Sequence, residues 1–150
     1  MSVKRREFIA KAGAAAVSMT VLGPELVRGT QANSRVRLGL VGCGGRGEWI
    51  AVLFQKHGGY EVVAVADYFK GRADAVGQAL SVPETARFTG LSGFKRLLEK
   101  GVDAVAIESP PYFHPEQAAA AVAAGAHVYL AKPVAVDVPG CHSVAASAKS

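Results

Sequence analysis

Charge is scarce in this chain. Asp, Glu, Lys and Arg make up 19% of its 150 residues, half are apolar, and the mean hydropathy is positive at +0.21. That excludes a disordered segment, which is too polar to offset chain entropy by burying surface. Cysteine is nearly absent: Cys43 and Cys141 are the only two. Two thiols make no disulfide scaffold, and they form neither C-x-x-C nor Cys/His ligand spacing, so no metal site is expected. A Cys43–Cys141 disulfide stays open, with nothing in the spacing to favour it. Long uncharged runs are missing too. The longest, Gln117 to Ala131, falls short of the roughly 20 residues of a membrane span, so no stable membrane anchor is expected. The net charge of +5 is concentrated in Lys4, Arg5, Arg6 and Lys11, offset there by Glu7 alone. No basic stripe interleaved with aromatics follows, and no zinc-finger or helix-turn-helix spacing, which argues against nucleic acid as a partner.

Residues 1–32 read as a targeting segment: a basic head, an uncharged stretch from Ala12 to Pro24, and small residues near Thr30-Gln31-Ala32. The head Lys4-Arg5-Arg6-Glu7-Phe8-Ile9-Ala10 resembles the twin-arginine signal through both arginines, Phe8 and Ile9. It departs at Lys4, where a hydroxyl residue is usual, and at Ala10, where lysine is common. The competing reading is a basic amphipathic helix, which Gly13, Gly23 and Pro24 would break. The resemblance implies the twin-arginine export machinery as a partner, a periplasmic or exported location, and cleavage near Ala32. Residues 33–35 are then a linker.

From Val36 onward, short β-branched runs alternate with helical stretches, the pattern of βαβ units around a parallel sheet. The predicted strands are Val36–Val41, Glu61–Ala66, Arg87–Thr89, Ala104–Ile107 and His127–Leu130. The predicted helices are Glu48–His57, Gly71–Leu80, Phe94–Lys100 and Pro115–Ala124, with a last one N-capped by Asp137 and still running at Ser150. The fold class is α/β, a Rossmann-type doubly wound parallel sheet over 36–150, one strand short of the full arrangement.

Between the first strand and first helix stands Gly42-Cys43-Gly44-Gly45-Arg46-Gly47, a G-x-G-x-x-G. Each glycine has a reason: a tight turn, close approach of backbone N–H groups to a pyrophosphate, and close helix–strand packing. The helix N-terminus adds partial positive charge. Asp67 closes the second strand about 20 residues later, the separation at which a carboxylate meets the adenosine ribose. A structural glycine turn with a solvated aspartate is the plain alternative, and the strand–turn–helix–strand setting favours dinucleotide binding. Because a carboxylate accepts from a free 2′-hydroxyl and repels a 2′-phosphate, Asp67 favours NAD over NADP. Lys70 and Arg72, just beyond, could instead reach a phosphate. Cys43 is expected to pack against the sheet, and Trp49 to serve core or interface.

Two later loops follow strand ends: Glu108-Ser109-Pro110-Pro111-Tyr112-Phe113-His114 and Leu130-Ala131-Lys132-Pro133. With the glycine loop, they resemble the glucose-fructose oxidoreductase, inositol dehydrogenase and rhizopine-catabolism family, Gfo/Idh/MocA, over Val36 to Ser150. In that family a strand ending in T/S-P, followed shortly by histidine, contacts the cofactor. The resemblance thereby assigns Ser109, Pro110 and His114 to cofactor binding beside Gly42, Gly44, Gly45, Arg46, Gly47 and Asp67. A backbone-satisfied His114 is the competing reading. The family's E-K-P is matched by Lys132 and Pro133, with Ala131 in place of glutamate. Lys132 is the expected catalytic residue, a partly desolvated amine of lowered pKa at the substrate oxygen. His57, His127 and His142 have no partner spacing and receive no role.

The resemblance implies an NAD-dependent oxidoreductase acting on a sugar, cyclitol or similar polyhydroxy small molecule. It also implies a further α+β domain supporting homo-oligomers and supplying a second catalytic group beyond Ser150. The chain is accordingly read as truncated before that domain and catalytically incomplete alone. Two alternatives stand beside this: an NAD-dependent glycoside hydrolase of the same fold, and a non-catalytic dinucleotide-binding remnant.

Overall fold

A computed structural model describes residues 35–149. The expected targeting segment therefore lies outside the described residues, as does most of the expected 33–35 linker.

Five strands form one parallel sheet: β1 (Val36–Val41), β2 (Tyr60–Asp67), β3 (Arg87–Thr89), β4 (Ala104–Ile107) and β5 (His127–Leu130), in the order β3-β2-β1-β4-β5. The first strand sits between β2 and β4, so the order in which strands are added reverses at β1 and a crevice opens at the carboxyl ends of β1 and β4. Strands buried on both faces read as continuous apolar runs, and the residues follow suit. Leu38, Leu40 and Val41 of β1, Val62 and Ala64–Ala66 of β2, and Val105–Ile107 of β4 are all buried.

The helices are α1 (Gly45–His57), α2 (Lys70–Ala79), α3 (Gly93–Leu98), α4 (His114–Ala123) and α5 (Val138–Ser147). α1 stops where Gly58 takes a left-handed conformation (φ 82°) that an L side chain resists. α4 buries Ala118 and Ala121, small enough to let its axis lie close to the sheet. Asp137 caps α5 as expected, accepting from the Gly140 N–H at 2.7 Å.

Every expected element is present: β1, β3, β4 and β5 have the expected bounds, while β2 is one residue longer at each end and the helix ends are shifted. α1 begins three residues before the expected Glu48, because the glycine loop itself enters the first turn: the Glu48 N–H already donates to Gly44 O at 2.9 Å. The last helix does not run to Ser150. It ends at Ser147, where the Lys149 N–H turns to Ala146 O, a tighter closure that carries no Gly or Pro signal.

Candidate functional site

The glycine loop is built by close approach. Gly42 has φ +96°, and a Cβ there would lie 2.6 Å from the Glu108 carbonyl carbon, so β1 and β4 leave room only for glycine. A Cβ on Gly47 would meet Gly42 O at 1.9 Å, which makes Gly47 the residue that lets α1 rest on the loop. Gly44 and Gly45 differ: a Cβ on either would meet nothing within 4 Å. Their open faces, at an α1 N-terminus without a side-chain cap, are the cradle that a pyrophosphate requires. The residues present thus fit a dinucleotide.

Asp67 ties this loop to the end of β2. One carboxylate oxygen accepts the Cys43 N–H and the other the Phe69 N–H, both at 2.8 Å. Each oxygen keeps lone-pair capacity for a further donor. Cys43 points inward, as expected, its thiol 3.6 Å from Ala66 O. Burial, and secondarily the Asp67 charge, push that thiol up to about 12, so it stays neutral and unreactive at ordinary pH.

Two cavities flank the loop. The larger, about 690 Å³, is lined by Gly42, Gly44, Asp67, Ser109, Pro110 and Arg72 among others. The smaller, about 290 Å³, brings Lys132 and Ala131 together with Arg46, Glu108, Ser109 and Pro111. Gly45 and Gly47 line neither, the first facing solvent and the second buried under α1. Lys132 is exposed, so the described residues do not provide the desolvation expected of it. Of the two places expected for Trp49, core or interface, its exposure excludes the core: it is 53% exposed, with the Arg46 guanidinium 5.2 Å from its ring centre. Lys70 pairs with Asp74, leaving Arg72 as the cation that shares the larger cavity with Asp67.

His114 has the backbone contacts of the competing reading. Its ring is 0% exposed, with Nε2 2.8 Å from Ser109 O and Nδ1 3.1 Å from Pro133 O. Facing carbonyls at both nitrogens, the imidazole braces the Ser109 loop against the Lys132–Pro133 loop; a neutral ring donates to one of them at a time. His114 opens α4, with Pro115 next to it in the first turn. Ser109 is held from the other side, its hydroxyl donating to Gln117 Oε1 at 2.6 Å. The sequence reading missed two residues here. Gln117 hid among alanines. Glu108 was signalled by an acid ending the apolar run Ala104–Ile107, at the sheet edge where ligands bind. Its side chain is 1% exposed, with Oε2 3.5 Å from Arg46 Nε and Oε1 unpartnered. Among the described residues, no group of three or more His, Cys, Asp or Glu could hold a metal, and no helix is long and apolar enough to cross a membrane.

This architecture has known counterparts. The chain is 38% identical over 135 residues to a glycosyl hydrolase family 109 protein of Stenotrophomonas maltophilia, covering 85% of this chain and 29% of that one. It is 33% identical over 110 residues to an inositol 2-dehydrogenase of Klebsiella pneumoniae, covering 73% and 32%. Among solved structures, the WlbA dehydrogenase of Bordetella pertussis, in complex with NADH and UDP-GlcNAcA, superposes with a TM-score of 0.66 at 28% identity, covering 78% and 33%. The chain thus spans about a third of the length of these relatives. Residues 36–150 match the Gfo/Idh/MocA oxidoreductase family, NAD-binding Rossmann fold. The chain belongs to that family and carries its NAD-binding domain.

Proposed function

We propose that this chain is the cofactor-binding part of an NAD-dependent oxidoreductase that moves hydride to or from a sugar, cyclitol or similar polyhydroxy compound. The observation that carries this reading is the open cradle of Gly44 and Gly45, with Asp67 on one side and Lys132 on the other. When bound, the dinucleotide supplies the hydride acceptor. Gly44 and the first turn of α1 hold its phosphates, and Asp67 accepts from the ribose hydroxyls of its adenosine half. Lys132, exposed at the rim of the smaller cavity, presents its amine to the substrate oxygen; as hydride leaves the carbinol carbon and the carbonyl forms, the neutral amine accepts the hydroxyl proton and becomes ammonium. Pro133, whose carbonyl lies against His114, keeps that lysine's loop in place.

A catalytically complete enzyme that carries this domain permits the direct test. Lys132→Ala in it should lower turnover by about 10²-fold or more while NAD affinity stays within about twofold. Near-normal turnover would reduce Lys132 to a solvated charge. The curated relatives named as family 109 hydrolases favour a second reading, glycoside cleavage through transient oxidation with bound NAD. Sugar release without net change in NADH would establish it over the first.

We also propose export in the folded state by the twin-arginine route, from Arg5, Arg6 and Phe8 ahead of an uncharged stretch. A cofactor made in the cytoplasm then travels inside the protein. Replacing both arginines by lysine should strand the precursor in the cytoplasm, and unchanged export would remove this assignment.

A further inference from the structure

The buried carboxylate of Glu108 has a neighbour that gives it meaning. β4 and β5 pair in register through Ile107 and Leu130, and the Ala131 N–H donates to Ile107 O at 3.0 Å. Glu108 and Ala131 are therefore the next residues on adjacent parallel strands, level with one another at the carboxyl edge of the sheet. Both line the smaller cavity beside Lys132, and Glu108 also lines the larger one, so it stands at the wall the two share. A carboxylate with a 1% exposed side chain and one oxygen lacking any partner is costly to keep unless something donates to it. Its one ionic contact, Arg46, sits on its solvent side with a side chain 59% exposed. That contact is long, at 3.5 Å from Nε to Oε2.

We propose that Glu108 is a cofactor-binding residue that supplies, from β4, the carboxylate that Ala131 does not supply from β5. Its Oε1 accepts a hydrogen bond from a hydroxyl of the ribose on the nicotinamide side of the dinucleotide. This rests on the dinucleotide reading above. With Asp67 holding the adenosine half at the β2 edge and the phosphates over Gly44, the other ribose extends across β1 toward β4, where Glu108 stands. Arg46, at the first turn of α1, is drawn to the phosphates as they bind, and its departure uncovers the carboxylate. The acid that Asp67 provides on one side of the switch point thus has a counterpart on the other.

The test is a set of binding titrations with NADH, ADP-ribose and ADP, because ADP lacks the second ribose. Glu108→Ala should weaken NADH and ADP-ribose about tenfold or more, as expected for losing a bond to a charged acceptor, and leave ADP within about twofold. Glu108→Gln, which keeps the shape, should show a smaller loss in the same pattern. Adding Ala131→Glu to Glu108→Ala should restore NADH affinity, since the carboxylate returns one strand over. The melting temperature of Glu108→Ala should not fall, because the residue removed is an incompletely paired buried charge. Equal weakening of ADP, or a drop in melting temperature that tracks the loss of affinity, would make Glu108 a structural anchor and overturn the proposal. Unchanged NADH affinity in both variants would overturn it as well. Should the variants fail to fold, the unaltered chain still decides: ADP-ribose must bind at least about fivefold more tightly than ADP, and equal affinities refute the contact. Failure of the unaltered chain to bind NADH or ADP at all would instead refute the dinucleotide reading on which this stands.

Discussion

At the residue scale, the glycines of one loop carry different constraints that the motif alone does not separate. Gly47 faces the Gly42 carbonyl, and a methyl there has nowhere to go. Gly47→Ala should therefore cost about 3 kcal/mol or more, measured by chemical denaturation, because backbone must move to accommodate it. Gly44 faces open space, so Gly44→Ala should change stability by no more than about 1 kcal/mol while weakening NADH binding at least about tenfold. The opposite pattern, an unstable Gly44→Ala that still binds, would show that the cleft is not where the phosphates lie. The positions of Gly42, Gly44, Gly47 and Asp67 were legible because their spacing is fixed by local chain geometry. Glu108 was not assigned a role, since its significance depends on β4 lying beside β5 and under Arg46, contacts between residues far apart in the chain. That Trp49 lies outside the core was not legible for a related reason. Its position on α1 sets which way it points, but which face of α1 the sheet covers depends on neighbours that no local pattern records.

At the element scale, strand existence and order of appearance followed directly from the sequence, and helix ends followed less well. Apolar β-branched runs such as Val62–Ala66 announce burial on both faces. The start of α1 depends instead on backbone bonding within the glycine loop, and the end of α5 carries no Gly or Pro to mark it. At this scale His114, expected from the resemblance to touch the cofactor, also joins two loops. Its ring holds Ser109 O and Pro133 O together, fixing the segment that precedes α4 against the one that follows β5. His114→Phe fills the space and leaves both carbonyls unpaired, which should cost about 1–3 kcal/mol in thermal or urea unfolding. Affinity for NADH should fall only in proportion to the loosened loops. Loss of affinity with unchanged stability would restore His114 to direct cofactor contact.

At the scale of the whole molecule, the parallel sheet β3-β2-β1-β4-β5 brings the candidate site residues to the carboxyl ends of its strands. The glycine loop, Asp67, Glu108 and Lys132 all follow the carboxyl ends of strands, where a doubly wound sheet leaves its crevice. Substrate chemistry is less legible than cofactor chemistry, because the chain spans about a third of its relatives' length and Lys132 stands exposed among the described residues. Cofactor choice, by contrast, is written into the cavity that Asp67 and Arg72 share. A carboxylate whose oxygens already hold the backbone of Cys43 and Phe69 cannot swing aside to admit a 2′-phosphate without releasing the loop. The most direct measurement is a side-by-side titration of the folded chain with NADH and NADPH, with Asp67→Asn as the companion variant. NADH should bind at least about tenfold more tightly than NADPH, and Asp67→Asn should narrow that gap by weakening NADH. Equal or tighter binding of NADPH would contradict the account and transfer the role of Asp67 to Arg72.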